Sequence, residues 1–214
     1  MFKENIYKKA IQSFLGDYVL RQITKNPRGF LQPFCLPADL VLLSQKISGF
    51  VVVREDPDPE NVFHLQNYYL STIAEIVQLH GGMVLDFFGD GVLSAWGLEE
   101  PADPARAARA ALACVQIPGP AGPEPLVLQG ALHGGVCLSG NVGSSDKLKF
   151  TVLGQPVNFV GTLVERNAAF GTKLLASGEV QAALKESFLF REIDSNQAQC
   201  QTDSGRVFEL KSEL

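Results

Sequence analysis

Clustered positive charge is the first thing this 214-residue chain lacks. Its 18 lysines and arginines lie scattered among 23 aspartates and glutamates, for a formal net charge of -5. A nucleic acid or an anionic membrane needs basic residues gathered on one face, so neither is an expected partner. Cysteine is scarce too: Cys35, Cys114, Cys137 and Cys200 stand far apart with no C-x-x-C pair. That spacing points to buried, reduced thiols and argues against zinc. No apolar run approaches the roughly 20 residues of a membrane helix, and the charged N-terminus has no signal-peptide core. Internal repeats are missing as well. The expectation is a soluble, cytoplasmic protein, or a soluble piece of something anchored.

What is present is an ordinary globular composition, 46% apolar and 19% charged, enough to bury a sizeable core. The stretch from His80 to Gly97, HGGMVLDFFGDGVLSAWG, organises the rest. Two apolar runs, Met83–Phe88 and Val92–Trp96, flank Gly89-Asp90-Gly91. An Asp-Gly pair between such runs predicts a hairpin with φ > 0 at both central positions and Asp90 at its tip. On the residues alone, Asp90 is either a mounted carboxylate or a turn former.

Upstream, residues 4–25 place apolar side chains at three- and four-residue spacing, which predicts an amphipathic helix ending before Asn26-Pro27. Such a helix either packs on its own domain or serves to dimerise or transmit a signal. A linker is expected at 26–38, a buried strand at Leu40–Leu43 and a loop at Arg54–Glu60. A helix over 60–79 should be stopped by Gly81-Gly82. Asp103 and Pro104 read as the N-cap and first residue of an alanine-rich helix running to Val115, and Pro118–Pro125 as an exposed loop. Beyond it, Leu126–Leu132 reads as a strand, and His133-Gly134-Gly135, Val136–Leu138 and then Ser139–Lys149 suggest a strand pair joined by a polar loop. Another strand is expected at Phe150–Leu153, a helix at Val157–Arg166, a strand at Lys173–Ala176 and a short helix at Gly178–Leu184. Phe188–Ile193 and Val207–Leu210 should pair at the end. Helices and strands thus alternate as an α/β or α+β sandwich around one sheet. Trp96 and the phenylalanines are expected in the core, and His133 reads as structural rather than as a base.

Taken together, these segments resemble the class III adenylyl/guanylyl cyclase catalytic domain from about Leu40 to Leu210. The resemblance is carried by Ile47-Ser48-Gly49-Phe50, by His80-Gly81-Gly82 with Phe88-Gly89-Asp90-Gly91, and by the alanine-rich helix after Pro101. It continues through Gly130 and His133-Gly134-Gly135, Ser139–Ser144, and Phe150–Gly154 with Val157-Asn158. It implies a ferredoxin-like βαββαβ core, with an N-terminal amphipathic helix and linker over 1–37 and the cyclase-type domain over 38–214, closed by a C-terminal strand pair. It also implies head-to-tail pairing, as homodimer or heterodimer with another cyclase-type domain, with active sites at the interface. In active members two Mg²⁺ or Mn²⁺ ions activate the ribose 3′-hydroxyl and neutralise the triphosphate.

Residue by residue, the resemblance implies a damaged site. Lys46 stands where the first metal aspartate belongs, three residues before Gly49-Phe50, and Asp90 matches the second. Asp86 and Thr151 occupy the purine-reading positions, Asn158 that of the ribose-orienting asparagine, and Thr162 that of the transition-state arginine. Lys147 loosely matches a phosphate contact, and Gly49-Phe50 could present backbone N–H groups to phosphate. Asn158 reads alternatively as a helix cap, and Asp86 as a residue pairing with Lys46 or solvent. A divalent ion about 4 Å from an ammonium meets roughly 8 kcal/mol of repulsion at an effective dielectric near 20. The expectation is therefore a direct Lys46–Asp90 ion pair, no bound cofactor, and a dimerising regulatory module with at most weak purine-nucleotide binding. The alternatives are an active cyclase, which uses Mg²⁺ or Mn²⁺, alone or with a complementary partner, and a scaffold with a closed cleft.

Overall fold

The computed structural model describes residues 2–49, 58–119, 126–144, 146–193 and 206–214. Leu40, Val41, Leu42 and Leu43 are apolar in succession because the strand that carries them is covered on both faces. Val41, Leu43 and Ile47 belong to one core cluster, Leu40 and Leu42 to another on the opposite face.

The elements follow as α1 (Phe2–Lys25), α2 (Pro27–Phe30), β1 (Phe34–Ser48), α3 (Pro59–Leu79), β2 (Met83–Phe88) and β3 (Gly91–Trp96). Then come α4 (Pro104–Cys114), β4 (Val127–Gly143), β5 (Leu148–Leu153), α5 (Gln155–Glu165), α6 (Asn167–Phe170) and β6 (Leu174–Ser177). The chain closes with α7 (Gly178–Leu184), β7 (Phe188–Ile193) and β8 (Val207–Glu213). One sheet runs β2-β3-β1-β4-β6-β8-β7, with β5 pairing β4 off that path. Its first four strands, β2-β3-β1-β4, have the order of a ferredoxin-like βαββαβ core, with β1 antiparallel to both β3 and β4. Helices α3, α4 and α7 cover one face through Tyr69, Ile73, Val77, Cys114, Val180 and Leu184. On the other face α5 packs Val160, Leu163 and Val164.

Several local expectations hold for their stated reasons. Asp103 Oδ1 accepts hydrogen bonds from the backbone N–H groups of Ala105 (2.9 Å) and Arg106 (3.2 Å), with Pro104 at the first helical position. Helix α3 stops where Gly81 turns to φ +73. Trp96 is buried and its indole N–H donates to the His80 carbonyl at 2.9 Å.

Other expectations need correction. The strand expected at Leu40–Leu43 begins at Phe34, inside the stretch read as linker. Pro37 is tolerated because β1 has β4 as its single neighbour there, β3 joining at Val41. The polar loop expected over Ser139–Lys149 is mostly strand: β4 runs unbroken through His133-Gly134-Gly135 to Gly143, and β5 begins at Leu148, because the two pair from Leu138–Leu153 to Gly143–Leu148. A Cβ at Gly135 would stand 2.9 Å from Pro156 Cγ, so that glycine lets the start of α5 lie close on the strand. In the hairpin Phe88 pairs with Gly91, making Gly89 and Asp90 the two-residue loop. Only Gly89 has positive φ (+60°), the pattern of a turn with glycine first, so the pair expected at Asp90-Gly91 lies one residue too late.

The core expectations also need amendment. Cys114 and Cys137 are buried, but Cys35 is exposed, and Cys200 lies outside the described residues. Phe14, Phe63, Phe87 and Phe88 are exposed, unlike the phenylalanines expected inside. Helix α1 divides at Gly16 (φ 78, ψ 161). Its second half docks: Val19 is buried, Tyr18 lies 5.1 Å from the Phe150 ring, and Arg21 pairs with Glu99 at 2.5 Å. Its first half leaves Ile6, Tyr7, Ile11, Phe14 and Leu15 exposed.

Candidate active site

Sheet phase decides what surrounds position 46. Lys46 lies opposite Gly91 across the β1–β3 ladder, and the Ile47 N–H donates to the Asp90 carbonyl at 3.0 Å. The hairpin tip and the end of β1 are therefore neighbours, as the sequence predicts. Side chains alternate along a strand, so Lys46 shares its face with Leu40 and Leu42, over which α5 lies. Its ammonium reaches α5 and donates to both Glu165 oxygens, at 2.8 and 2.6 Å. The expected Lys46–Asp90 ion pair is not formed; Glu165 takes Asp90's place. With side-chain exposures of 32% and 57%, this bridge contributes on the order of 0.2–1 kcal/mol. Its consequence is positional, since it fixes a cation at the end of β1.

Glu165 escaped the sequence reading, yet a signal was there. Asn158, Thr162 and Glu165 stand at i, i+4 and i+7, one face of a helix. That face lines a groove of about 700 Å³ together with Gly161, Arg166 and Ala169. Asn158 is exposed in the first turn of α5, whose N-cap is Gly154, so Asn158 is no cap. The Thr162 hydroxyl donates to the Asn158 carbonyl at 3.0 Å, a common in-helix bond that gives no cation to the groove.

The two positions to which the resemblance assigns purine reading, Asp86 and Thr151, lie at a second place. Asp86 on β2 is ion-paired with Lys149 on β5, and neither Lys46 nor solvent alone is its partner. Thr151 lies two residues along β5 from Lys149 and so on the same face, opposite Gly140. Lys147 is exposed in the turn between β4 and β5, its backbone N–H 3.3 Å from the Ser144 hydroxyl. Gly49 turns at φ 86 just after β1; Phe50 lies outside the described residues. Beside the groove, His133 Nδ1 is 2.9 Å from the Ser177 hydroxyl and its ring packs edge-on to Phe159 at 4.4 Å. Burial lowers its pKa, with Glu179 at 3.6 Å opposing that shift.

These donors do not suit a pair of hard divalent cations, which need several carboxylate oxygens together. No cluster of three or more His, Cys, Asp or Glu with metal-holding geometry occurs among the described residues. Asp90 lies at the hairpin tip beside the end of β1, and the carboxylate that reaches Lys46, Glu165, is already bound to its ammonium.

The βαββαβ order, the hairpin beside β1 and the Asn158-bearing helix find a counterpart among solved proteins. A bacterial light-regulated adenylyl cyclase superposes with a TM-score of 0.82 at 21% identity, over 99% of this chain and 63% of its own. This is the class III nucleotidyl cyclase fold. No family model matches the chain. Among curated proteins, the chain is 27% identical over 173 residues to Adenylate cyclase 1 of Rhizobium meliloti, covering 77% of this chain and 26% of that protein. It is 30% identical over 146 residues to an uncharacterized protein of Mycobacterium tuberculosis, covering 66% of this chain and 26% of the relative. The domain thus spans about a quarter of the length of either curated relative. No described helix is long and apolar enough to cross a membrane.

Proposed function

We propose that this is a catalytically degenerate class III cyclase domain, acting in the cytoplasm as a dimerising regulatory module of a signalling protein. The observation that carries the reading is the Lys46 ammonium bound to both Glu165 oxygens at 2.8 and 2.6 Å. It stands where the family resemblance calls for a metal carboxylate. A point charge can take over part of a metal's electrostatic role, but it supplies no Lewis acid to activate a hydroxyl. The helix position that the resemblance gives to a transition-state arginine holds Thr162, whose hydroxyl already donates within α5. Removing a single donor of this kind costs about 10²–10³ in rate.

Dimerisation is supported by an apolar face on the arm formed by β4 and β5. Val136, Leu138 and Val142 alternate onto one face, Leu153 pairs with Leu138, and all four are exposed. A second copy of the same fold is the proposed occupant, with residues 1–37 leading into the domain at 38–214. The name of the Rhizobium relative favours a second reading, an active cyclase making cyclic AMP or cyclic GMP with a complementary partner. Incubation of the purified protein with ATP or GTP and Mn²⁺ separates the two. No cyclic product above the protein-free background is expected, and clear turnover overturns the degenerate reading. Sedimentation at high micromolar concentration tests the dimer; a monomer there counts against it.

A further inference from the structure

We infer that the first half of α1 is an interfacial helix, which lays its apolar face on an anionic lipid surface. The inference is independent of the cleft and of what the cleft binds. From Ile6 to Leu15 every residue is exposed, and Ile6, Tyr7, Ile11, Phe14 and Leu15 are large and apolar. At about 100° per residue, Ile6, Ala10, Phe14, Tyr7, Ile11 and Leu15 follow one another around the helix and fill an arc of about 180°. Lys8, Gln12, Lys9 and Ser13 fill the other side. Phe14, at 89% exposure, stands near the middle of the apolar arc.

Gly16 makes that half a unit of its own. Its φ of 78 and ψ of 161 lie in a region that only glycine enters freely, and they break the helix there. Beyond the break, the buried Val19, the Tyr18–Phe150 ring contact and the Arg21–Glu99 ion pair hold the second half on the domain. The first half therefore has a fixed base and its own direction, with its apolar face left uncovered.

Shape and charge together name the occupant. A contiguous exposed apolar face of this kind marks an interaction site. A helix that pairs with a second copy presents a narrow seam. One that lies in a lipid interface presents a broad face of bulky apolar residues, with lysines on the polar side. The broad arc from Ile6 to Leu15 is of the second kind. The overall charge of -5 speaks against an anionic partner, but this stretch is the exception: it holds Lys8 and Lys9 and no acidic residue. Each lysine brought to an anionic membrane strengthens binding roughly fivefold, and the apolar face supplies the rest.

The test is co-sedimentation of the full chain with vesicles of phosphatidylcholine and phosphatidylserine in equal parts, against vesicles of phosphatidylcholine alone. Binding to the mixed vesicles is expected, at least about tenfold tighter than to phosphatidylcholine alone. It should weaken as added salt screens the lysines. Phe14→Glu should weaken it at least about tenfold by setting a charge in the apolar face. The double variant Lys8→Glu/Lys9→Glu should do the same by reversing the charge of the polar side. Lys185→Glu, a charge reversal at an exposed position after α7, should leave binding unchanged. All four positions are exposed, so the urea midpoints of the variants should match the wild type and rule out loss of folding. No binding to the mixed vesicles, equal binding to both kinds, or indifference to Phe14→Glu or to the lysine reversal overturns the inference. So does a lipid-free dimer that Phe14→Glu separates, which would put a second copy on the face instead.

Discussion

Replacing Lys46 by aspartate should turn an ion pair into a metal site, and the size of the effect can be worked from the structure. The substitution removes the bridge to Glu165, both of whose partners are well exposed (32% and 57%), so its loss costs on the order of 0.2–1 kcal/mol. It also sets a new carboxylate near Glu165 and beside Asp90, whose carbonyl already bonds the Ile47 N–H at 3.0 Å. Repulsion among them brings the total in metal-free buffer to about 1 kcal/mol, or roughly 2–4 °C in Tm for a chain of this size. Adding Mn²⁺ should reverse the loss. At tenfold excess over Kd, the linkage gives about 1.4 kcal/mol, or roughly 3–6 °C. The wild-type chain, with an ammonium in that place, should move by about 1 °C or less in the same titration. Differential scanning fluorimetry in EDTA and across a Mn²⁺ series reads both quantities. A wild-type rise equal to that of the variant, or a variant that ignores Mn²⁺, refutes the argument that Lys46 is what excludes the metal.

Three further perturbations test the fold around the site. Gln45 is buried within the core at 1% exposure, and neither of its side-chain amide atoms has a hydrogen-bond partner among the described residues beyond the weakly polar Cys114 thiol beside it. Gln45→Met should therefore stabilise the protein by about 1–2 kcal/mol, seen as a higher urea midpoint at unchanged slope. Gly140→Ala should destabilise it by about 1–3 kcal/mol, because the added methyl would lie 1.9 Å from the Phe34 carbonyl oxygen and force β1 and β4 apart. For His133, burial holds the folded pKa below the ordinary 6.5, so the unfolded imidazole takes its proton first as pH falls. Its contribution to stability should be fully present above pH 6.5 and be lost as pH falls from there through the folded pKa. The difference in urea midpoint between the wild type and His133→Gln, compared at neutral pH and on the acid side, isolates this contribution; a pH-independent difference would show that the imidazole does not contribute in this way.

Local chemistry was legible in the chain wherever neighbours in sequence settle the outcome. Asp103 and Pro104 announce a helix because cap and first turn lie within three residues of each other. The hairpin around Asp90, the helix through Asn158 and the alternation of helices and strands follow from period and punctuation of the same short range. The exact turn did not, since Gly89-Asp90 and Asp90-Gly91 are equally good turn pairs and only the Phe88–Gly91 register chooses between them. Nor did the length of β1 and β4, whose fifteen paired positions from Phe34–Asn141 to Ser48–Val127 override the proline and glycine signals within them. The partner of Lys46 belongs to this second kind. From the sequence, Lys46 and Asp90 are two ends of a lost metal pair and should find each other. In the fold, the two-residue repeat of β1 aims the lysine at the face covered by α5, where Glu165 waits 119 positions along the chain. The sequence by itself put a lysine at the position where the family resemblance expects a metal carboxylate; the sheet's phase and the helix packed on it decided which residue answers that lysine.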